Sequence, residues 1–430
     1  MTEALVGLTA LLALAMLRIL IAFVMILVGY LGMAWVLNPI AALYNVGQTA
    51  FDAAINYELS VVPLFVLMGN FVARAHLATE LYNASNAFLG HRKGGLAMAT
   101  VVACGGFSAI CGSSLATAAT MSKVAMPSMR RFNYSDSLAS GSIAAGGTLG
   151  ILIPPSVILV IYGILTQQSI GKLFAAGILP GLIGVLFYLF AVRWVTWRRP
   201  EAGPAGDRQD WGQRLRALRS VWGVLLLFIL VMGGIYGGIF SPTEAAGIGA
   251  IGAFFFALIR GALTWKTLFD ILEESVETTA MLFTVLIGAI LFANFINYTD
   301  FPQALLGFAQ QFADTPWLVI MAIILIYVAL GCVFESLSMI LLTVPIFFPL
   351  VRDLGYDPIW FGIVVVVVTE ISLITPPVGL NVFVLRGVLP DVKTGTIFRG
   401  VTPFWCADLV RLALIVSIPA LSLWLPSFVV

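Results

Sequence analysis

The sequence predicts an all-α polytopic membrane protein with two inverted-topology repeats. Of its 430 residues, 60% are hydrophobic and 10% are charged, with a mean hydropathy of +1.04, whereas soluble domains carry about 25% charged residues. Two proline pairs, Pro154-Pro155 and Pro376-Pro377, interrupt apolar runs 222 residues apart. Because proline breaks a helix, each pair predicts a broken helix. Broken helices at matching places in two halves are typical of transporters; two kinked helices that bind no ligand are the alternative.

The composition argues against several classes of function. The net charge of +1 gives no indication of a nucleic-acid partner. Neither a CxxC pair nor a His/Cys cluster occurs, so the sequence predicts no redox or transition-metal site. The isolated residues concerned are Cys104, Cys111, Cys332, Cys406, His76 and His91. An intramembrane protease would need paired aspartates, a Ser–His pair or HExxH, which makes an enzyme a poor interpretation. A channel is disfavoured because the two hairpins described below are closed.

The first repeat is predicted over residues 1–195. Residues 4–37 exceed one span of about 20 residues, so we expect two helices with Arg18 in the turn between them. Residues 38–58 are predicted to form a polar loop and residues 60–78 a third span. The rest of the repeat is a re-entrant helical hairpin over about 94–131, a broken helix over about 136–166 and a span over 173–195.

Basic residues set the predicted orientation. They flank the first hairpin at Arg92-Lys93 and Arg130-Arg131, so both of its ends are expected on one side of the membrane. Seven arginines fall between residues 193 and 219, which makes the linker 196–219 cytoplasmic by the positive-inside rule. Counting spans backwards places the N-terminus, predicted as a first span and not a signal peptide, in the periplasm. The loop 38–58, which has no Lys or Arg, is then also periplasmic.

The second repeat is predicted over residues 220–430. A second hairpin over about 316–351 has its tip at Glu335, and a second broken helix covers about 358–385. Because each half crosses the membrane an odd number of times, the halves are expected to be inverted and the hairpins to enter from opposite faces. The other predicted elements are spans at 221–240 and 242–259, an amphipathic helix at 265–277, and spans at 278–297 and 403–425.

The hairpin tips and helix breaks carry the candidate site residues. Hydroxyls, backbone carbonyls and helix C-terminal ends suit Na⁺, a hard cation, so each half predicts one sodium site. The first site comprises Gly112, Ser113, Ser114, Gly147, Thr148 and Gly150. The second comprises Glu335, Ser336, Ser338, Thr369, Ser372 and Thr375. The alternative for any single hydroxyl is a local cap on its own helix.

A carboxylate substrate is expected near the resumed half-helices. Their N-termini, close to Ser114 and Ser156, offer unpaired N–H groups and the positive end of a helix dipole. The residues predicted to face the substrate are Ser114, Pro154, Pro155, Ser156, Pro376 and Pro377.

Glu335 is the most informative single residue, because a carboxylate inside an apolar segment is costly unless it is paired or bound to a cation. It is a sodium ligand, a proton-coupling acid, or a carboxylate that reaches the outer water. Glu370 borders the second break and is a weaker candidate. Glu244 falls in a capping box with Pro242 at the first helical position, which indicates a structural role.

Five motifs together resemble the large membrane subunit of tripartite ATP-independent periplasmic (TRAP) transporters, the DctM/SiaM type. The likeness extends over nearly the whole chain. The motifs are residues 105–118 (GGFSAICGSSLATA), 150–156 (GILIPPS), 177–181 (GILPG), 240–246 (FSPTEAA) and 375–381 (TPPVGLN).

This resemblance implies an elevator-type transport domain, made from both hairpins and both broken helices, inside a scaffold in the bacterial inner membrane. It implies sodium-driven uptake of a small organic acid, such as a C4-dicarboxylate, sialic acid or another carboxylate. It also implies two partners, a periplasmic substrate-binding protein (P type) and a small four-helix membrane subunit (Q type). A stand-alone sodium/anion elevator symporter that needs no binding protein is the alternative.

Overall fold

A computed structural model describes residues 1–17, 19–75, 77–312, 314–331 and 333–429. All regular structure within these ranges is helical, which confirms the all-α class. The predictions made for Arg18, His76 and Cys332 lie outside the described residues.

The described residues of the first half form ten α-helices. Residues 4–37 form two helices, as predicted, while the re-entrant hairpin and the broken helix stay predictions. The helices are α1 (Thr2–Met16), α2 (Ile21–Val36), α3 (Pro39–Ile55), α4 (Val61–Arg74), α5 (Leu77–Leu89), α6 (Gly95–Cys111), α7 (Ser114–Arg131), α8 (Asp136–Thr148), α9 (Val157–Thr166) and α10 (Ile170–Arg198).

The described residues of the linker and the second half contain eleven further α-helices. They are α11 (Trp211–Ser220), α12 (Trp222–Tyr236), α13 (Pro242–Ile259), α14 (Trp265–Asn297), α15 (Phe301–Gln310), α16 (Pro316–Gly331), α17 (Ser336–Asp353), α18 (Pro358–Ser372), α19 (Leu380–Val388), α20 (Thr394–Ser417) and α21 (Ala420–Leu423).

The predicted loop at 38–58 is wrong, because most of it is helix α3. Asn38 caps this helix by accepting a hydrogen bond from the backbone N–H of Ala41 at 2.8 Å, and Pro39 occupies the first helical position. Its buried residues, Ala42, Thr49 and Ala53, share one face. The chain then bends by 63° into the helical stretch that contains α4.

Two boundaries in the second half are also wrong. The amphipathic helix 265–277 and the span 278–297 form one continuous helix of 33 residues, α14, because no proline or glycine separates them. The last span was predicted to start at Pro403, but α20 starts at Thr394 and contains that proline. The hydrophilic linker is helical in part, since Asp210 and Gln213 form a capping box at the start of α11.

Corresponding helices in the two halves begin at nearly constant offsets. Helix α7 begins at Ser114 and α17 at Ser336, 222 residues later, and each has 18 residues. Helix α8 begins at Asp136 and α18 at Pro358, again 222 residues later. Packing follows the same correspondence, because α2 packs on α14 and α4 on α13, while α7 packs on α19 and α9 on α17. The orientation of each half in the membrane stays a prediction.

Five helices of the described chain, α10, α13, α14, α17 and α20, are long and apolar enough to cross a membrane. Up to seven crossings result if α3–α4 and α11–α12, which are bent pairs, each count as one. The broken helices lie in the core, since α8 is buried from Leu138 to Thr148 and α18 from Trp360 to Ser372.

Candidate functional site

The first hairpin tip packs against the first helix break. Gly112 ends α6 with a left-handed backbone (φ +64°), and the N-cap of α7 is Ser113, whose Oγ accepts from the Ala116 N–H at 3.4 Å. A Cβ on Gly150 would lie 2.8 Å from the Ser113 carbonyl oxygen, and one on Gly112 would lie 2.9 Å from the Pro155 carbonyl oxygen. Glycine is therefore needed on both sides of this contact, which brings predicted site residues together.

Two more predicted site residues, Gly147 and Ser114, take part in this contact. Thr148 and Ser156 instead form hydrogen bonds with other groups. A Cβ on Gly147 would lie 3.1 Å from the Ser114 carbonyl oxygen, so α7 and α8 touch here. The Thr148 hydroxyl instead donates to the Ala145 carbonyl at 2.8 Å and lies 3.1 Å from the Tyr188 hydroxyl. Ser156 acts as the N-cap of α9, because its Oγ accepts from the Leu159 N–H at 3.2 Å.

The second tip carries a carboxylate instead of a hydroxyl in front of its helix. Glu335 is the residue before α17, and the Ser338 hydroxyl lies 3.4 Å from its Oε2. Ser336 and Ser338 are buried, whereas Glu335 is partly exposed. The end of α16 packs closely against the second break, because a Cβ on Gly331 would lie 2.1 Å from Cβ of Ser372.

The hydroxyls at the second break all donate to their own helix. Thr369 donates to Val365, Ser372 to Thr369 and Thr375 to Ile371, with distances of 2.6–2.8 Å to the carbonyl oxygens. This is the geometry of local capping, yet each hydroxyl oxygen keeps lone pairs that can accept. Uncharged oxygens close to a helix end suit Na⁺, so the donor set fits the ion at both breaks.

The proline pairs differ in exposure. Pro154 and Pro155 are buried beside the first tip, whereas Pro376 and Pro377 are exposed. Both peptide bonds, Pro154-Pro155 and Pro376-Pro377, are cis. The second break is therefore the more open of the two.

A buried ionic cluster joins the two breaks, and most of it was missed from the sequence. Arg411 Nη2 pairs with Glu370 Oε2 and lies 2.9 Å from Asp408 Oδ1. The Tyr188 hydroxyl donates to Asp408 Oδ2 at 2.5 Å and also contacts Thr148. All five side chains are buried, and they come from α8, α10, α18 and α20.

This cluster pairs Glu370 with Arg411 and contains residues that were not predicted. One carboxylate oxygen of Glu370 and two guanidinium nitrogens of Arg411, Nε and Nη1, lack a hydrogen-bond partner among the described residues. Charges inside a membrane segment are a functional signal in themselves. Asp408 and Arg411, one turn apart in an apolar helix, carried that signal in the sequence.

Asn381 ends the motif at 375–381 and was not predicted as a site residue. It is fully buried, and its side-chain amide donates to the Ala144 carbonyl on α8 at 3.0 Å. Its own backbone N–H donates to the Leu373 carbonyl at 3.1 Å, across the second break. Asn381 therefore ties the second break to the first broken helix.

This chain is similar to known proteins over most of its length. The model of the family described as "Tripartite ATP-independent periplasmic transporter, DctM component" matches residues 8–421. The C4-dicarboxylate TRAP transporter large permease protein DctM of Pseudomonas aeruginosa is 38% identical over 380 residues, which are 88% of each chain. The sialic acid TRAP transporter large permease protein SiaM of Vibrio cholerae is 33% identical over 373 residues, which are 86% of each chain.

Among solved structures, the YdaH transporter of Alcanivorax borkumensis is similar to this chain, with a TM-score of 0.61 over 89% of each chain. The two sequences are 17% identical, so this likeness concerns the fold alone.

Proposed function

This chain belongs to the DctM-component family of tripartite ATP-independent periplasmic transporters, and from that membership we propose a sodium-driven uptake of a small organic acid. It is a multi-pass inner-membrane protein and a large permease subunit of its transporter family. Relatives named for C4-dicarboxylates and for sialic acid both handle carboxylates, so a carboxylate is the proposed substrate class here.

The observation that carries the sodium proposal is the close contact between the first hairpin tip and the first break. Gly112 and Gly150 allow the backbones to approach to a distance that any Cβ would prevent. One ion would be held by the Ser113 hydroxyl and backbone carbonyls on both sides of that contact. A second ion would be held at the other break by Glu335 and the hydroxyls of Thr369 or Ser372.

We propose that the two hairpins and the two broken helices move together as the elevator unit. The buried cluster links α8 and α18 to α10 and α20 by ion pairs and hydrogen bonds, so α10 and α20 would have to move with this unit. Asn381 adds a further link between α19 and α8. Separating the linked helices inside a membrane would leave buried charges without partners. Motion of these helices as one rigid body therefore costs less free energy.

The proposed partners are a periplasmic substrate-binding protein and a small four-helix membrane subunit, as the family name implies. The proposed topology puts the N-terminus in the periplasm and the linker 196–219 in the cytoplasm. The linker's arginines support this orientation through the positive-inside rule.

The experiment is uptake of radiolabelled carboxylates into proteoliposomes that contain this chain and the small subunit. Each substrate is tested with and without the binding protein, and with and without an inward sodium gradient. We expect uptake only when the binding protein and the inward sodium gradient are both present. Full-rate uptake without sodium would overturn the coupling, and full-rate uptake without the binding protein would favour a stand-alone symporter.

A further inference from the structure

An uncovered groove runs along the outside of the molecule between α10 and α20. Its volume is about 1280 Å³, and the start of α8 also lines it. Several large side chains in its walls are exposed, so no described part of the chain covers it. The apolar wall residues that matter here are Leu186, Phe190 and Trp194 on α10 and Pro403, Ala407 and Val410 on α20.

The length of the groove matches one leaflet of a bilayer. Its lining extends from residue 186 to residue 199 on α10 and from residue 399 to residue 410 on α20. At 1.5 Å per residue these stretches measure roughly 16–20 Å. The hydrocarbon of one leaflet is half of about 30 Å. A partner's transmembrane helix would extend across both leaflets, about twice the length of this groove.

One end of the groove is basic. Arg198, Arg199 and Arg399 line it, and Glu201 is the one acidic residue among the lining residues, which leaves a net charge of +2. The three arginines are exposed, and none of them forms an ion pair within the described chain. The guanidinium of Arg198 lies 4.6 Å from the ring centroid of Trp194, which holds it at the rim.

We propose that this groove binds one anionic phospholipid, with its phosphate at the three arginines and its acyl chains along the apolar walls. Arginine recognises phosphate oxygens through its fork of donors, and basic pockets between transmembrane helices suit anionic head groups. A neutral lipid would not compensate the net charge of +2 on the residues that line the groove. The proposal does not depend on sodium coupling, so a failed transport assay would not decide it.

The test uses the purified full chain in detergent, with phosphatidylglycerol and phosphatidylcholine of identical acyl chains added together. Native mass spectrometry counts each bound lipid. The groove variant is R198Q/R199Q/R399Q. The matched control is R208Q/R216Q/R219Q, which removes three exposed arginines outside the groove. A second variant, Ala407→Phe, fills the apolar part and leaves all arginines in place, and thermal unfolding checks that each variant is folded.

We expect one retained phosphatidylglycerol per chain, in preference to phosphatidylcholine. One arginine near a charged lipid contributes about a fivefold gain in affinity, so R198Q/R199Q/R399Q should lose on the order of a hundredfold, while the control triple variant stays near wild type. Ala407→Phe should also lose the lipid.

Three results would overturn the proposal. Equal losses of bound phosphatidylglycerol in both triple variants would mean that lipid binding follows the general surface charge and not this groove. Equal retention of phosphatidylglycerol and phosphatidylcholine would mean that the groove does not select anionic lipids. Displacement of the lipid by millimolar inorganic phosphate alone would assign the arginines to a free anion.

Discussion

The two hairpin tips occupy equivalent places in the chain, but they differ in charge, and the breaks beside them differ in exposure. Ser113 and Glu335 each precede an 18-residue helix, 222 residues apart. The first tip lies against a break whose prolines are buried, whereas the prolines of the second break are exposed. One tip therefore presents a neutral hydroxyl and the other a carboxylate, and the breaks beside them differ in the exposure of their prolines. We infer that the two sites are chemically unequal, and this inequality can be tested.

The largest effect is expected from Arg411→Met, because the buried cluster is attached to both breaks. The substitution leaves Glu370 and Asp408 buried without their cation, which costs about 3–5 kcal/mol in the free energy of unfolding. Thermal unfolding of the purified protein should show this loss, and both sodium sites should fail together.

The triple variant Arg411→Met/Glu370→Gln/Asp408→Asn removes the stranded charges as well and should recover most of the stability. If Arg411→Met alone unfolds at the wild-type temperature, the cluster does not hold the two breaks together.

A smaller effect, confined to the first site, is expected from Gly150→Ala. The new Cβ would lie 2.8 Å from the Ser113 carbonyl oxygen, so the tip must move. Overpacking of this kind costs about 1–3 kcal/mol, and we expect the sodium concentration for half-maximal uptake to rise roughly tenfold.

The matched control is Gly387→Ala on α19, where a Cβ would meet nothing within 4 Å. The two variants should differ clearly in sodium titrations of uptake. Equal behaviour would mean that the contact between tip and break plays no part in ion binding.

Ser113→Ala and Ser336→Ala compare the two tips at the level of one hydroxyl. A serine that only caps its helix contributes about 0.5–2 kcal/mol of stability and leaves sodium dependence unchanged. A sodium ligand should instead raise the sodium concentration needed for half-maximal uptake. We expect each variant to show this rise while remaining folded, and unchanged titrations for both would refute the assignment of the tips.

The orientation of the chain in the membrane can be tested by cysteine labelling, and no change in transport activity is expected. A cysteine at Pro204, in an otherwise cysteine-free chain, should resist a membrane-impermeant thiol reagent added to whole cells. A cysteine at Gly47 in α3, which is exposed and predicted to be periplasmic, should react. The reverse pattern would invert the topology and exchange the faces from which the two tips open.

The helical class, and the interruptions of helix at the two proline pairs, could be predicted because their signals are local. Proline pairs, short polar interruptions and flanking basic residues all lie within one stretch of chain. The prediction of a loop at 38–58 was wrong because it rested on the polar residues of this stretch alone. It did not take account of the Asn38 cap or of the single buried face of α3. A hydrophilic stretch need not be a loop when one face packs on the core.

The ionic cluster could not be predicted as a unit, because its members come from four helices that are distant in sequence. Asp408 and Arg411 carried the local signal of paired charges in an apolar helix, but nothing in the sequence joined them to Tyr188 or Glu370. The exposure of each break is likewise a tertiary property. The two proline pairs have the same local pattern, yet one pair is buried and the other exposed.

The most direct test of unequal sites is a sodium and pH titration of uptake by Glu335→Gln, beside Ser113→Ala, in proteoliposomes with the small subunit and binding protein. Glutamine keeps the size and hydrogen bonding of Glu335 but removes its charge. We expect Glu335→Gln to lose most uptake and to recover part of it at high sodium, with folding intact, while Ser113→Ala shows only a moderate shift. A new pH dependence with unchanged sodium dependence would assign Glu335 to proton coupling. Wild-type behaviour in both titrations would contradict any role for this carboxylate in the site.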